Sequence, residues 1–154
     1  MTVRQMLFLS CALLAAYAYA DKNHVSVIND PETKEECGGC HFAFPSTMLP
    51  TTSWLEIMQN LDNHFGEDAS LDVRTTQHIT NYLTSSPERS EDPIFGFTDG
   101  IQDKKSPIRI TETPYWIGKH FHISEEQLES GLAGLKARCT VCHLRAESGI
   151  FKYE

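Results

Sequence analysis

The sequence predicts a mostly α-helical fold, with two small helical units joined by an irregular linker. Three observations carry this prediction. A Cys-x-x-Cys-His stretch stands in each half, at 37–41 and 139–143; apolar residues recur at helical spacing behind capping residues; and a run of turn formers separates the halves. The 154 residues suffice for one domain or two very small ones.

The first stretch is Cys37-Gly38-Gly39-Cys40-His41 and the second Cys139-Thr140-Val141-Cys142-His143. Each has the form that attaches a c-type haem, in which two thiols add to the porphyrin vinyls and the adjacent imidazole becomes the proximal iron ligand. Two intervening residues let both sulfurs reach neighbouring vinyls from one turn, and the histidine that follows swings over the macrocycle onto iron. A lone Cys-x-x-Cys would say little. Two of them, each followed at once by histidine in a chain with only 7 His, lead us to expect two covalently bound haem c groups.

Residues 1–20 read as a cleaved leader. Arg4 precedes the apolar run from Met6 through Leu14 and Ala16, which ends on Ala18-Tyr19-Ala20, an A-x-A cleavage signal, before polar Asp21. The run is short for a membrane anchor, and Cys11 falls within the discarded peptide. Cleavage leaves only the four motif cysteines and none for a structural disulfide. It also removes Arg4, so 13 basic and 21 acidic residues become 12 and 21, a net charge of −9. That balance disfavours nucleic acid as a partner and suits a basic protein patch. A chain this small buries a modest core, and two haems would supply the missing apolar surface, so the protein without haem is expected to be poorly folded.

An N-terminal haem-binding unit is expected over 21–83. Residues 21–36 show little periodicity apart from Val25, Val27 and Ile28 and read as a surface arm; His24 could ligate iron, but its polar surroundings suit exposure. Phe42, Phe44, Met48 and Leu49, broken by Pro45 and Pro50, read as an apolar loop. Met48 follows the proximal histidine too closely to reach the opposite haem face easily, which favours packing over ligation. Ser53 and Glu56 form a capping box for a helix with Trp54, Leu55, Ile57, Met58, Leu61 and Phe65 on its apolar side and Gly66 as its stop. His64 lies in the last turn, either over iron or as a cap on the helix's negative end. A second helix is expected from Asp68 or Ser70 to Leu83, using Leu71, Val73, Ile79 and Tyr82, with His78 off the apolar side.

Residues 84–107 form the linker. Ser85-Ser86-Pro87, Asp92-Pro93, Gly96, Asp99-Gly100 and Lys104-Lys105-Ser106-Pro107 are turn signals, while Ile94, Phe95 and Phe97 pin it to the surface. A C-terminal haem-binding unit follows at 108–154. Thr113-Pro114 starts a helix in which Trp116 and His120, four apart, share a face, so one can pack on porphyrin while the other reaches iron. His122 competes but is less compatible with Trp116. Ser124 and Gln127 form another capping box ahead of Leu128, Leu132 and Leu135, with Gly131 and Gly134 leaving room for close approach. The tail from Leu144 to Phe151 is expected to fold back as a cover.

Together, Cys-Gly-Gly-Cys-His at 37–41, Leu-Pro-Thr-Thr-Ser-Trp at 49–54, His-Phe-Gly-Glu-Asp-Ala-Ser-Leu at 64–71, Arg-Ile-Thr-Glu-Thr-Pro at 109–114 and Cys-Thr-Val-Cys-His at 139–143 resemble the small bacterial dihaem cytochrome c family. Its members include the electron donor to an oxygen-binding monohaem cytochrome. The resemblance covers nearly all the chain after the leader and is weakest over 84–107. It implies a mostly helical periplasmic electron carrier with two low-spin, bis-histidine haems, working between a membrane-associated donor such as a cytochrome b and a soluble haem protein such as that monohaem cytochrome c. It places the ligands on His41, His64, His120 and His143. Chain order pairs His41 with His64 and His120 with His143, with crossed ligation as the alternative.

Histidine on both faces closes each iron to oxygen and peroxide and favours a lower potential than a histidine–methionine pair. No catalytic role is therefore expected. A haem enzyme such as a small peroxidase would need an accessible iron, and no Ser-His-Asp or Cys-His arrangement competes. The other rivals are a four-cysteine zinc-binding module and thiol exchange at a Cys-x-x-Cys; the adjacent histidines and the leader favour haem over both.

Overall fold

The computed structural model describes residues 25–85, 98, 101, 106–129 and 137–152. The leader, His24, most of the 84–107 linker, Gly131, Leu132, Gly134 and Leu135 lie outside the described residues. The fold is mostly helical, as expected. Among the described residues the α-helices are α1 (Pro31–Gly38), α2 (Thr51–Gln59), α3 (Val73–Ser85), α4 (Pro114–His120) and α5 (Glu125–Glu129), linked by short 3₁₀ turns; there is no strand, only the isolated bridge His64–Glu67. No helix among them is long and apolar enough to cross a membrane.

The segment before the first motif is not a surface arm. Asp30 accepts a hydrogen bond from Thr33 N at 2.8 Å and Pro31 takes the first helical position, so α1 starts there and delivers Cys37 in its last turn. Val25, Ile28 and Thr33 are buried. The Asp30-Pro31 pair was the available signal for this helix.

Helix α2 differs at both ends from the expectation. It begins at Thr51, because Pro50 at φ −66° launches it and its carbonyl accepts from Ser53 N (3.0 Å) and Trp54 N (3.2 Å). Ser53 is thus inside the helix and fully buried, its hydroxyl without a hydrogen-bond partner among the described residues, and does not cap. The helix stops at Gln59, where Asn60 turns out of helical geometry and its amide donates to Glu56 O at 2.7 Å. His64 therefore lies beyond a 3₁₀ turn (Leu61–Asn63) instead of in a last helical turn.

Helix α3 is capped by neither Asp68 nor Ser70. Asp72 accepts from Arg74 N (2.9 Å) and Thr75 N (3.1 Å), while the Asp68 side chain accepts from Ser70 N in a local turn. Val73, expected on the apolar side, is 85% exposed. The Ser124–Gln127 capping box forms reciprocally, with Ser124 N donating to Gln127 Oε1 (2.9 Å) and Gln127 N to Ser124 Oγ (3.2 Å).

The core is shared by both halves. Val25, Phe42, Met48, Leu49, Trp54, Ile57, Met58, Ile79 and Leu83 pack with Ile110 and Ala146. Met48 belongs to this core at 1% exposure, and Ile79 is fully buried, which stabilises by roughly 1.5–3 kcal/mol for such a side chain. Trp54 Nε1 donates to Ser46 O at 2.7 Å, fixing α2 to the apolar loop. Among the described residues, backbone bonds from Val25 N to Gly149 O (2.8 Å) and from Phe42 N to Ala137 O (3.2 Å) join the halves. The tail folds back as expected, with Ala146 fully buried and Gly149 in the left-handed region that lets the chain reverse.

Candidate functional site

Two histidine pairs stand out. The rings of His41 and His64 lie 6.0 Å apart and nearly parallel, at 21°; those of His120 and His143 also lie 6.0 Å apart but nearly perpendicular, at 84°. Two imidazoles bonded to opposite faces of one metal at roughly 2 Å put their centroids about 6 Å apart. Each separation matches that spacing, and each pair contains the histidine of one Cys-x-x-Cys-His stretch. The pairs follow chain order, with no crossing between halves.

Hydrogen bonds prepare the rings for such a role. His41 Nδ1 lies 2.7 Å from Phe42 O and His120 Nδ1 lies 2.8 Å from Trp116 O, with His143 Nδ1 at a longer 3.5 Å from Lys152 O. A carbonyl only accepts, so in each case the proton belongs on Nδ1 and the lone pair on Nε2 is left for a metal. Burial holds His64 below 6.5, with the charges of His41 and Arg109 adding, and burial likewise holds His120 below 6.5, with His143 and His122 adding against the Trp116 hydrogen bond.

Local structure explains each position. His64 opens a tight turn closed by His64 N to Glu67 O (2.7 Å) and Glu67 N to His64 O (3.2 Å). Phe65 at φ 57° and Gly66 at φ 103° occupy the turn, so both central residues are left-handed. For Phe65 that conformation costs about 1–2 kcal/mol. His120 ends α4, where Thr113 caps the helix by accepting from Trp116 N, and the Trp116 ring stacks on His120 at 4.3 Å and 17°. Thus Trp116 orients the histidine directly. His122 is exposed beside Phe121. His78, partly exposed, pairs instead with Asp30 at 3.0 Å.

The cysteines divide by burial. Cys37 and Cys139 pack against the core, whereas Cys40 and Cys142 are exposed, and all four thiols are free. Burial, helped by Glu36, pushes the Cys37 thiol up to about 11; burial, helped by Cys142, pushes Cys139 up to about 12. Exchange-active thiols are depressed instead, so these two are poor nucleophiles at neutral pH. Among the described residues no group of three or more His, Cys, Asp or Glu side chains converges as a metal site.

Two contacts had no sequence signal. Arg109 stacks over the Phe65 ring at 4.0 Å. Phe151 touches both Phe42 (5.9 Å) and His143 (5.5 Å), and Phe42 and Phe44 (5.5 Å) continue to His41 (5.3 Å), an unbroken aromatic run between the two pairs.

The profile of the family described as Dihaem cytochrome c matches residues 33–151. Among solved structures, the chain is similar to a dihaem cytochrome c from Rhodobacter sphaeroides at 38% identity, covering 82% of this chain and 100% of that one, with a TM-score of 0.73. A second structure of the protein purified from the same organism matches at 38% identity and the same coverage, with a TM-score of 0.65. A dihaem cytochrome type c from Shewanella baltica matches at 34% identity, covering 82% of this chain and 89% of that one, with a TM-score of 0.63. No protein of curated function matches significantly in sequence.

Proposed function

The chain belongs to the dihaem cytochrome c family, which carries two covalently bound c-type haems and transfers electrons through them, and from that premise we propose that it shuttles electrons through two irons closed on both faces by histidine. Cys37 and Cys40 hold the first haem, with His41 proximal and His64 distal. Cys139 and Cys142 hold the second, with His143 proximal and His120 distal. The observation that supports the assignment is the ring spacing: each motif histidine lies 6.0 Å, centroid to centroid, from one other histidine.

Bound haem supplies a one-electron iron couple. The chain's part is to keep that couple low-spin and sealed. Hydrogen bonds from Nδ1 to Phe42 O and Trp116 O fix the tautomer and make the imidazoles better donors. The sealed coordination sphere supports a carrier over a peroxidase. The leader supports a periplasmic location, with a membrane cytochrome b as donor and an oxygen-binding monohaem cytochrome c as acceptor.

Low-temperature paramagnetic resonance of the oxidised holoprotein tests the reading. Two low-spin signals are expected, and His64→Ala and His120→Ala should each turn a different one high-spin. High-spin iron in the unaltered protein, or rapid stoichiometric carbon monoxide binding after reduction, would refute it.

A further inference from the structure

We propose that Arg109 is a positioning residue for the first haem site, acting through Phe65 to hold the His64 turn closed. This rests on His64 being a ligand of that haem.

The turn needs a clamp. Phe65 is 39% exposed, Gly66 has no neighbour within 4 Å of where a Cβ would stand, and Glu67 is exposed, so little packs on the residues that follow His64. The turn is closed by its own His64–Glu67 backbone bonds and by Ala69 N to Leu61 O at 2.8 Å. Phe65 meanwhile adopts the left-handed angle the turn requires, which is costly for a residue other than glycine. The Arg109 guanidinium, 4.0 Å from the ring centroid, is a contact from outside the turn that favours the ring where this backbone puts it.

Arg109 itself is well placed to act as an anchor. The next residue, Ile110, is buried in the shared core, and a 3₁₀ turn from Ile110 to Glu112 leads into the Thr113 cap of α4. Glu112, three residues on, also reaches the guanidinium, its Oε1 lying 3.6 Å from Nε. The segment that presents His120 at the second site therefore also braces the distal histidine at the first.

Cyanide binding to the oxidised holoprotein reads the effect, because a six-coordinate iron admits cyanide only as fast as a histidine lets go. Arg109→Gln is expected to speed the first-haem phase roughly two- to fivefold, the worth of one exposed cation–π contact, and to leave the second-haem phase unchanged. Arg109→Lys should restore most of the slow rate. Phe65→Leu should match Arg109→Gln, and the double variant should be no faster than either single one. Unchanged first-haem kinetics, equal acceleration of both phases, or additive effects of the two substitutions would overturn the proposal. His64→Ala separates the underlying premise: if it produces no high-spin haem, the ligand assignment fails regardless of Arg109.

Discussion

Thr113→Val measures how far a single hydroxyl organises the second site. Thr113 is fully buried; its Oγ1 donates to Ile110 O at 2.8 Å and accepts from Trp116 N at 3.2 Å. Valine keeps the shape and the branched Cβ and loses both bonds. Loss of the cap costs about 1 kcal/mol. The Ile110 carbonyl keeps its bond from Thr113 N at 3.1 Å, so it is not orphaned. Its lost second partner adds roughly 0.5–1 kcal/mol. The expected destabilisation is therefore about 2 kcal/mol, read as a lower guanidinium midpoint at unchanged slope when unfolding of the holoprotein is followed by helical circular dichroism. The same variant should raise the high-spin fraction at the second haem only, since Trp116 and His120 both hang on this helix start. Thr113→Ser keeps the hydroxyl and should cost less. A valine variant within about 0.5 kcal/mol of the parent, inside the usual range for inert substitutions, or a serine variant as damaged as valine, would refute the capping argument.

Other outcomes follow from the same geometry. Trp54→Phe removes the bond to Ser46 O and opens space in the core, and should lower stability by about 2–3 kcal/mol in the same unfolding assay. Asp30 is held below 3.8 by hydrogen bonds from Thr33 and then by His78, so its contribution is full above that value and is lost as pH falls through the lower native one; Asp30→Asn should flatten the acid limb of stability against pH. With each pair bound to one iron as proposed, ring planes at 21° would let both imidazoles act on the same d orbital, whereas planes at 84° would act on two orbitals alike. Paramagnetic resonance should accordingly show a rhombic signal, lost in His64→Ala, and a strongly anisotropic one, lost in His120→Ala; two identical signals would contradict the ring geometry.

Much of this site was legible because its chemistry is local. Cys-x-x-Cys-His is contiguous, Thr113-Pro114 announces a helix start, and the four-residue step from Trp116 to His120 is itself the stacking contact. His64 was expected in a last helical turn and lies beyond one. The apolar pattern through Leu61 and Phe65 continues the helical period, yet Asn60 ends α2 by turning back on Glu56 O, and propensity alone does not weigh that competition. Pro50 likewise displaced Ser53 as the helix start. Arg109 on Phe65 and Phe151 between the pairs join residues far apart in the chain, and no spacing rule reaches them.

The near-duplicate motifs suggest a protein that could be cut into two working copies of one half. The aromatic run through Phe42 and Phe151, with the bonds from Val25 to Gly149 and from Phe42 to Ala137, makes the halves complementary rather than interchangeable. Fragments severed in the linker would each display an unmatched apolar seam, so they should be poorly folded alone and regain helical structure when mixed, as a split protein does.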